Sequence, residues 1–399
     1  MAKPIPTAQP ISRRQLLAAG ALLPASRLSF AATTPGSEQR LVLMILRGGL
    51  DGLGAVPTIG DPGFASARGA LARYAEPTLP LNAMFALHPA LTQLHAMHGR
   101  GEMSVLHAVG LPYKERSHFE AQQLLESGGQ RPHEITTGWL GRALAASRGK
   151  GIALQSAVPL VLRGPATVDT WAPSALPEPA PDLVSRLGLL YETDPALARA
   201  LARAQALRAD GMPMAMQAAS MAGGARPGQA VTLAQRAAEF LSTPGGPQVA
   251  VLEMGGWDTH ANQAAPQGAL ANNLRQLDSA LAALREGLQA GGCWPRSAVL
   301  VCTEFGRQVE VNGTQGTDHG SGGAAFVLGG AIAGGQVLAD WPGLAPKDRF
   351  EGRDLRITTD LRAVFRTLLL DHLQVPQATV NRDALPGTAE LRGVPILRS

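Results

Sequence analysis

Aromatic side chains are scarce in this chain: phenylalanine, tryptophan and tyrosine together make up 4% of 399 residues. A stacking platform for single-stranded nucleic acid needs more rings than that. Cysteine is nearly absent, with Cys293 and Cys302 alone. Neither shows CxxC or zinc-ligand spacing. If Ala298–Cys302 is extended, at about 3.3 Å per residue the two lie beyond bridging distance. Two free thiols are expected, with Cys302 buried. Charged residues reach only 17% beside 45% hydrophobic ones, which is globular composition and excludes wholesale disorder. Long apolar runs are missing as well: none approaches the roughly 20 residues that a bilayer span requires.

A real excess of positive charge is also missing. The formal +4 equals the contribution of Lys3, Arg13, Arg14 and Arg27, and residues 1–31 contain no acid, so 4 − 4 leaves about zero. A neutral remainder has no general attraction for nucleic acid or anionic lipid. Those first 31 residues read as a twin-arginine signal: Ser12, Arg13, Arg14, Gln15, Leu16 and Leu17, a modest apolar stretch to Leu23, then Pro24. Ser29 and Ala31 suit cleavage after Ala31 or Ala32. Export in the folded state to the periplasm or beyond is the expectation.

What the chain does have is three acidic residues, each just past a short hydrophobic run: Asp51 after Leu41–Leu46, Asp258 after Val249–Met254, Glu304 after Ala298–Cys302. Apolar runs of five or six residues bounded by glycine read as buried parallel strands. The same reading places strands at 41–46, 103–109, 158–163, 248–254, 298–303 and 324–329. Helices are expected at 88–98 (with Pro89 in its first turn), 116–127, 136–147, 181–190, 194–208, 230–242, 268–289 and 359–373. Strands alternating with helices predict an α/β fold, a doubly wound, mostly parallel sheet flanked by helices. One domain over 40–399 fits, with a helical insertion at about 165–245 and a Met- and Gly-rich connector over 209–230. Ligands of such sheets bind beyond the carboxyl ends of the strands. If the three runs are neighbours, their carboxylates gather at one rim, where a metal ion is the simplest remedy for repulsion.

The motifs around those strand ends offer further donors. Gly255–His260 (GGWDTH) carries Asp258 and His260 two apart, able to point the same way as chelating ligands, with Trp257 to exclude solvent. Thr303–Arg307 (TEFGR) offers Glu304 as ligand or base and Arg307 as an anion clamp. Gly316–Gly323 presents Asp318 and His319; His319 suits a metal shell, and Asp318 can orient an imidazole. Lys114–Gln122 (KERSHFEAQ) opens a helix: Ser117 is either a simple cap or a nucleophile, His118 a ligand, base or packing residue, and Arg116 a positive group for an anionic substrate. Asp51, among glycines, is a ligand or an Asx-turn residue.

Taken in order, the twin-arginine start, LRGGLDGL, YKERSHFEAQ, GGWDTH, TEFGR and GTDHG resemble an exported bacterial family, domain of unknown function 1501, itself regarded as a distant branch of the alkaline phosphatase and sulfatase superfamily. The resemblance spans essentially all of the chain after the signal. It implies an alkaline-phosphatase-like fold and a divalent metal (Zn, Mn, Mg or Ca). It also implies a small phosphate, sulfate or related anionic ester as substrate. By position, Asp51 resembles the first metal ligand, Ser117 the nucleophile, Asp258 with His260 the middle pair, Glu304 the Asp of an Asp-His pair, and His319 the final His. Phe305 stands where the superfamily has an imidazole, which puts a second metal in doubt, and no sulfatase maturation motif lies near Ser117. A degraded site used for binding in the envelope, with a co-encoded exported partner protein, is the competing expectation. Either way Asp51, Asp258 and His319 are expected to meet.

Overall fold

The computed structural model describes residues 38–173, 180–209, 228–263 and 268–398. The expected signal segment and most of the 209–230 connector lie outside the described residues.

Eleven strands form among the described residues: β1 (Arg40–Leu46), β2 (Leu79–Pro80), β3 (Ala86–Leu87), β4 (Met103–Gly110), β5 (Lys150–Ala153), β6 (Thr167–Thr170), β7 (Val249–Met254), β8 (Ser297–Thr303), β9 (Gly323–Leu328), β10 (Val337–Leu338) and β11 (Thr359–Asp360). Nine of them make one sheet in the order β10-β4-β9-β8-β1-β7-β5-β6, with β11 on β4; β2 and β3 form a separate hairpin. β1 pairs in parallel with β7 on one side and β8 on the other. The three apolar runs are therefore adjacent, as their sequences suggested.

β9 alone runs against its neighbours, antiparallel to β8 and to β4. That reversal brings the start of β9, and the glycine-rich loop before it, to the rim where β1, β7 and β8 end. β4 opposes β9 and so shares the direction of β1, putting the 111–118 segment at the same rim. One sheet edge thus collects five connections.

Alternate residues of β1 enter two cores. Val42, Met44 and Leu46 face a layer that includes helices Thr92–Gly99, Gln229–Ser242 and Ala269–Ala290. Leu41, Leu43 and Ile45 face helices His118–Ser127, Trp139–Ser147 and Leu361–Thr367. In Ala269–Ala290 the buried Leu270, Leu274, Leu277, Leu281, Leu284 and Leu288 recur every three or four residues, the stripe a sheet-packed helix needs. Trp139 stacks on Phe365 at 4.5 Å, joining two helices of the second layer.

Three boundaries depart from expectation. Residues 158–163 are not a strand: Pro159 leads into a 3-10 turn at Leu160–Leu162, and the strand there is Lys150–Ala153. The helix expected from 88 starts at Thr92, because His88 Nδ1 accepts from Ala90 N at 3.0 Å and Asp278 accepts from Gln93 N and Leu94 N, fixing the helix start there. The last helix passes into a π turn at Leu368–His372. Within 165–245 the described residues form β6 and helices Pro181–Tyr191, Pro195–Ala209 and Gln229–Ser242. The described residues cluster as one compact unit. Cys293 and Cys302 are free and buried. No helix among the described residues is long and apolar enough to cross a membrane.

His107, on β4, accepts from Ala108 N at 2.9 Å through Nδ1, and its Nε2 faces Val56 O at 3.0 Å. The ring is thus neutral with its hydrogen on Nε2, and burial pushes its pKa down to about 4. The unfolded chain takes up this proton near pH 6.5, the folded protein only near pH 4, so the stability from the neutral ring is full above 6.5 and lost as pH falls toward 4. Roughly 3 kcal/mol is at stake at about 1.4 kcal/mol per unit. Urea midpoints measured from pH 7.5 to 4.5 are expected to fall, and His107→Gln to flatten that decline.

Candidate metal centre

The rim is assembled by close backbone crossings. Gly48, just past β1, has φ +120°, and a Cβ there would lie 2.6 Å from Asp258 N. Its own N–H donates to Glu304 Oε1 at 2.8 Å. Gly48 therefore sits where the connections after β1, β7 and β8 touch, and only glycine fits. Gly48→Ala is expected to cost about 1–3 kcal/mol in backbone strain and to weaken any ion bound at Asp258, read by thermal denaturation and metal titration together.

Asp258, His118 and His319 meet there. Their ligand atoms lie within 4.8 Å of one another. His319 Nε2 is 3.1 Å from His118 Nε2 and 3.1 Å from Asp258 Oδ1. His118 Nε2 is 3.4 Å from Asp258 Oδ2. His260 stands beside them, its Nε2 3.0 Å from both His319 Nε2 and Asp258 Oδ1.

Each ring's other nitrogen has a partner. His118 Nδ1 is 2.9 Å from Glu304 Oε1, His260 Nδ1 3.1 Å from Asp318 Oδ1, and His319 Nδ1 2.9 Å from Arg116 O. Asp258 also accepts from Arg307 at 2.6 Å. Burial works to raise the Asp258 carboxyl, but Arg307, with His260 and His118 nearby, holds it below the usual range. Burial likewise opposes ionisation of Glu304, and donors from His118, Gln122 and Gly48 outweigh it. Asn312 holds Asp318 down. His118 is raised chiefly by Glu304, while burial lowers His319. In the bare cluster His118 thus carries the proton shared with His319, and a cation must displace it. Metal affinity is expected to fall as pH falls, the competition already present at pH 6.5 because the His118 pKa lies above that value. Titrations across pH 6 to 8.5 check this.

The set read from sequence divides. Asp258, His260 and His319 converge, and His118 joins them. Glu304 and Asp318, expected as ligands, face imidazole Nδ1 atoms instead. Glu304 is fully engaged: Oε1 accepts from Gly48, His118 and Gln122, and Oε2 from Thr303 at 2.9 Å.

Asp51 does not join the cluster. It is 1% exposed, and its Oδ2 is held by Arg68 and Gln263. Gln263 Oε1 accepts from Thr317, which accepts from Arg307, so Asp51 connects to Asp258 only through three side chains.

Arg116 and Arg307, expected as anion clamps, are both engaged internally. Arg116 pairs with Asp354 at 2.8 Å and Glu351 at 2.5 Å. It adopts φ +61°, a left-handed conformation uncommon outside glycine, which aims its carbonyl at His319. Arg307 bonds Asp258 and Thr317.

Phe305 packs its ring 4.8 Å from His118 and 4.9 Å from His319. His118 thus lies beside Phe305 although it comes from another element. Ser117 takes the N-cap position of helix His118–Ser127 without making the cap bond, so its hydroxyl is not committed to the helix. Sequence reasoning missed Gln122 and Asn312, which bond Glu304 and Asp318. Gln122 was findable, since it lies one helical turn beyond His118.

The family model for proteins of unknown function DUF1501 matches residues 81–384. The chain belongs to that family. No curated protein matches it by sequence. Among solved structures it is similar to a phosphonate monoester hydrolase of Agrobacterium radiobacter, at 12% identity and TM-score 0.42 over 85% of this chain and 74% of that one. It is also similar to the PsFucS1 sulfatase from Pseudoalteromonas sp., at 14% identity and TM-score 0.41 over 89% and 70%. A protein in the alkaline phosphatase superfamily from Vibrio parahaemolyticus shares 10% identity at TM-score 0.38 over 73% and 60%. Likenesses this distant say nothing of what this DUF1501 member binds or cleaves.

The donor set itself fits a divalent cation. Imidazole nitrogens and a carboxylate that face one another at about hydrogen-bond distance repel unless protons or a metal stand between them.

Proposed function

We propose that this protein is an exported, metal-dependent hydrolase of a phosphate, sulfate or related anionic ester. The observation that carries the reading is the meeting of Asp258, His118 and His319 next to Ser117, whose hydroxyl is free of helix capping. A divalent ion, when bound, polarises the ester and offsets its negative charge. Asp258 holds that charge in place, itself steadied by Arg307. Ser117 presents its hydroxyl at the helix start, where the backbone dipole favours an incoming anion. With Arg116 and Arg307 engaged by carboxylates, they act on His319 and Asp258 and leave recognition of the anion to the ion and the helix terminus. The twin-arginine motif supports export in the folded state.

The test is a panel of phosphate, phosphonate and sulfate esters with chelated and metal-restored protein. Turnover that needs metal and disappears in Ser117→Ala is the expected result. Metal-loaded protein that turns over none of the panel leaves a binding role in the envelope as the better account.

A further inference from the structure

We infer that the cluster takes a single borderline divalent cation of the zinc type, held by Nε2 of His118 and His319 and by Asp258, with a fourth position left for water or the ester and with Glu304 and the Arg116 carbonyl as positioning groups. This rests on the metal-dependent reading above and deepens it to the class of ion, its number and its ligands.

The first argument is tautomeric. A carboxylate or a backbone carbonyl only accepts hydrogen bonds. Each of the three rings has its Nδ1 against such a group: Glu304 Oε1 at 2.9 Å, Asp318 Oδ1 at 3.1 Å, Arg116 O at 2.9 Å. Each Nδ1 therefore carries the hydrogen, and a neutral ring keeps its lone pair on Nε2. The lone pairs of His118 and His319 then face the same place as the Asp258 carboxylate, with His260 Nε2 3.0 Å from His319 Nε2 and from Asp258 Oδ1. Imidazoles that bind metal are held in this way by outer acceptors.

The second argument is spacing. Bonds of about 2.0–2.1 Å to a tetrahedral ion set ligand atoms roughly 3.3 Å apart. The contacts of 3.1 Å (His118–His319 and His319–Asp258) and 3.4 Å (His118–Asp258) match that edge.

The third is donor chemistry. Calcium and magnesium take shells of oxygen, and Asp258 is the one oxygen donor in a set otherwise made of imidazole. Two imidazole nitrogens and a carboxylate, with an open position, suit zinc and its neighbours.

The number follows from what is already engaged. Both oxygens of Glu304 accept protein donors, and Asp51 is paired with Arg68 and Gln263. Two of the carboxylates expected as ligands are thus in use, and Asp258 is left as the one in the cluster.

Chelated full-length protein titrated calorimetrically with Zn²⁺, Co²⁺, Mg²⁺ and Ca²⁺, together with the visible absorption of the cobalt form, tests this. One Zn²⁺ per chain, a four-coordinate cobalt spectrum, and Mg²⁺ and Ca²⁺ weaker by more than about 100-fold are expected, the upper range seen for losing an outer partner alone. Glu304→Ala is expected to weaken Zn²⁺ by about 10–100-fold, while Glu304→Gln, which keeps an oxygen for the Nδ1 hydrogen, recovers most of it. If the alanine variant fails to fold, the glutamine form still decides. Two bound ions, preference for Mg²⁺ or Ca²⁺, or a cobalt spectrum unchanged by His118→Ala overturns the inference and leaves the hydrolase reading standing. One tightly bound Zn²⁺ with no ester turnover does the reverse. Absence of any bound ion, with protons alone filling the cluster, removes both.

Discussion

Asp258→Asn is expected to strip the cluster of its divalent ion while leaving the fold intact. The amide keeps nearly the shape of the carboxylate and an oxygen that accepts from Arg307, whose contact at 2.6 Å anchors the native side chain. Arg307, wholly buried, keeps an acceptor but loses the charge of its carboxylate partner, so melting temperatures without metal should fall, though by less than for an alanine. What disappears is the one negative charge facing the imidazole Nε2 atoms. Without it, a bound dication loses its only anionic partner in the group. The loss in affinity is expected to exceed the roughly 100-fold that removing an outer acceptor produces. Calorimetric titration gives the affinity and an ester panel the activity, and both should fall together. Full metal binding by Asp258→Asn would show that the ion sits elsewhere.

Asp51→Ala is expected to do the opposite: destabilise strongly and spare the ion. Arg68 is wholly buried, and Asp51 is its ionic partner. Removing one member of a buried pair leaves an uncompensated charge, at a cost of about 3–5 kcal/mol. Denaturant midpoints should drop accordingly while Zn²⁺ affinity in the folded protein is unchanged. Asp51→Leu combined with Arg68→Met should recover much of the loss, because an apolar pair of similar volume replaces a buried ion pair at little cost. A normal midpoint with lost metal would return Asp51 to the ligand role its position after β1 suggests.

These two aspartates show where the sequence was legible. β1, β4, β7, β8 and β9 are continuous apolar runs, buried on both faces, and each was located to within a residue or so. β5 (KGIA) and β6 (TVDT) carry too few apolar residues to stand out, whereas Leu160–Leu162 is apolar but follows proline and turns. Glycine-flanked carboxylates past strand ends were a sound guide to the rim. They did not reveal which carboxylates face an ion and which face a ring. That depends on partners remote in sequence: Glu304 reaches His118 across 186 positions, and Asp51 reaches Gln263 across 212. His118 was open to several roles because nothing in KERSHFEAQ tells that its ring turns toward Glu304. The superfamily resemblance pointed to a His after position 304. The chain has Phe305 there, and His118, from a different strand's connection, packs against it.

The single reversed strand, β9, has a consequence for how the molecule breathes. His118, Asp258 and His319 hang from connections bordering β4, β7 and β9, which a lone cation would lash together at one end of the sheet. Its binding energy is then available to hold that end shut. Chelation should quicken amide hydrogen exchange over 114–120, 255–262 and 314–321, while amides in the middle of β1 and β8 keep their protection. Loss of the ion would leave a barrel-stave frame standing with one hoop removed.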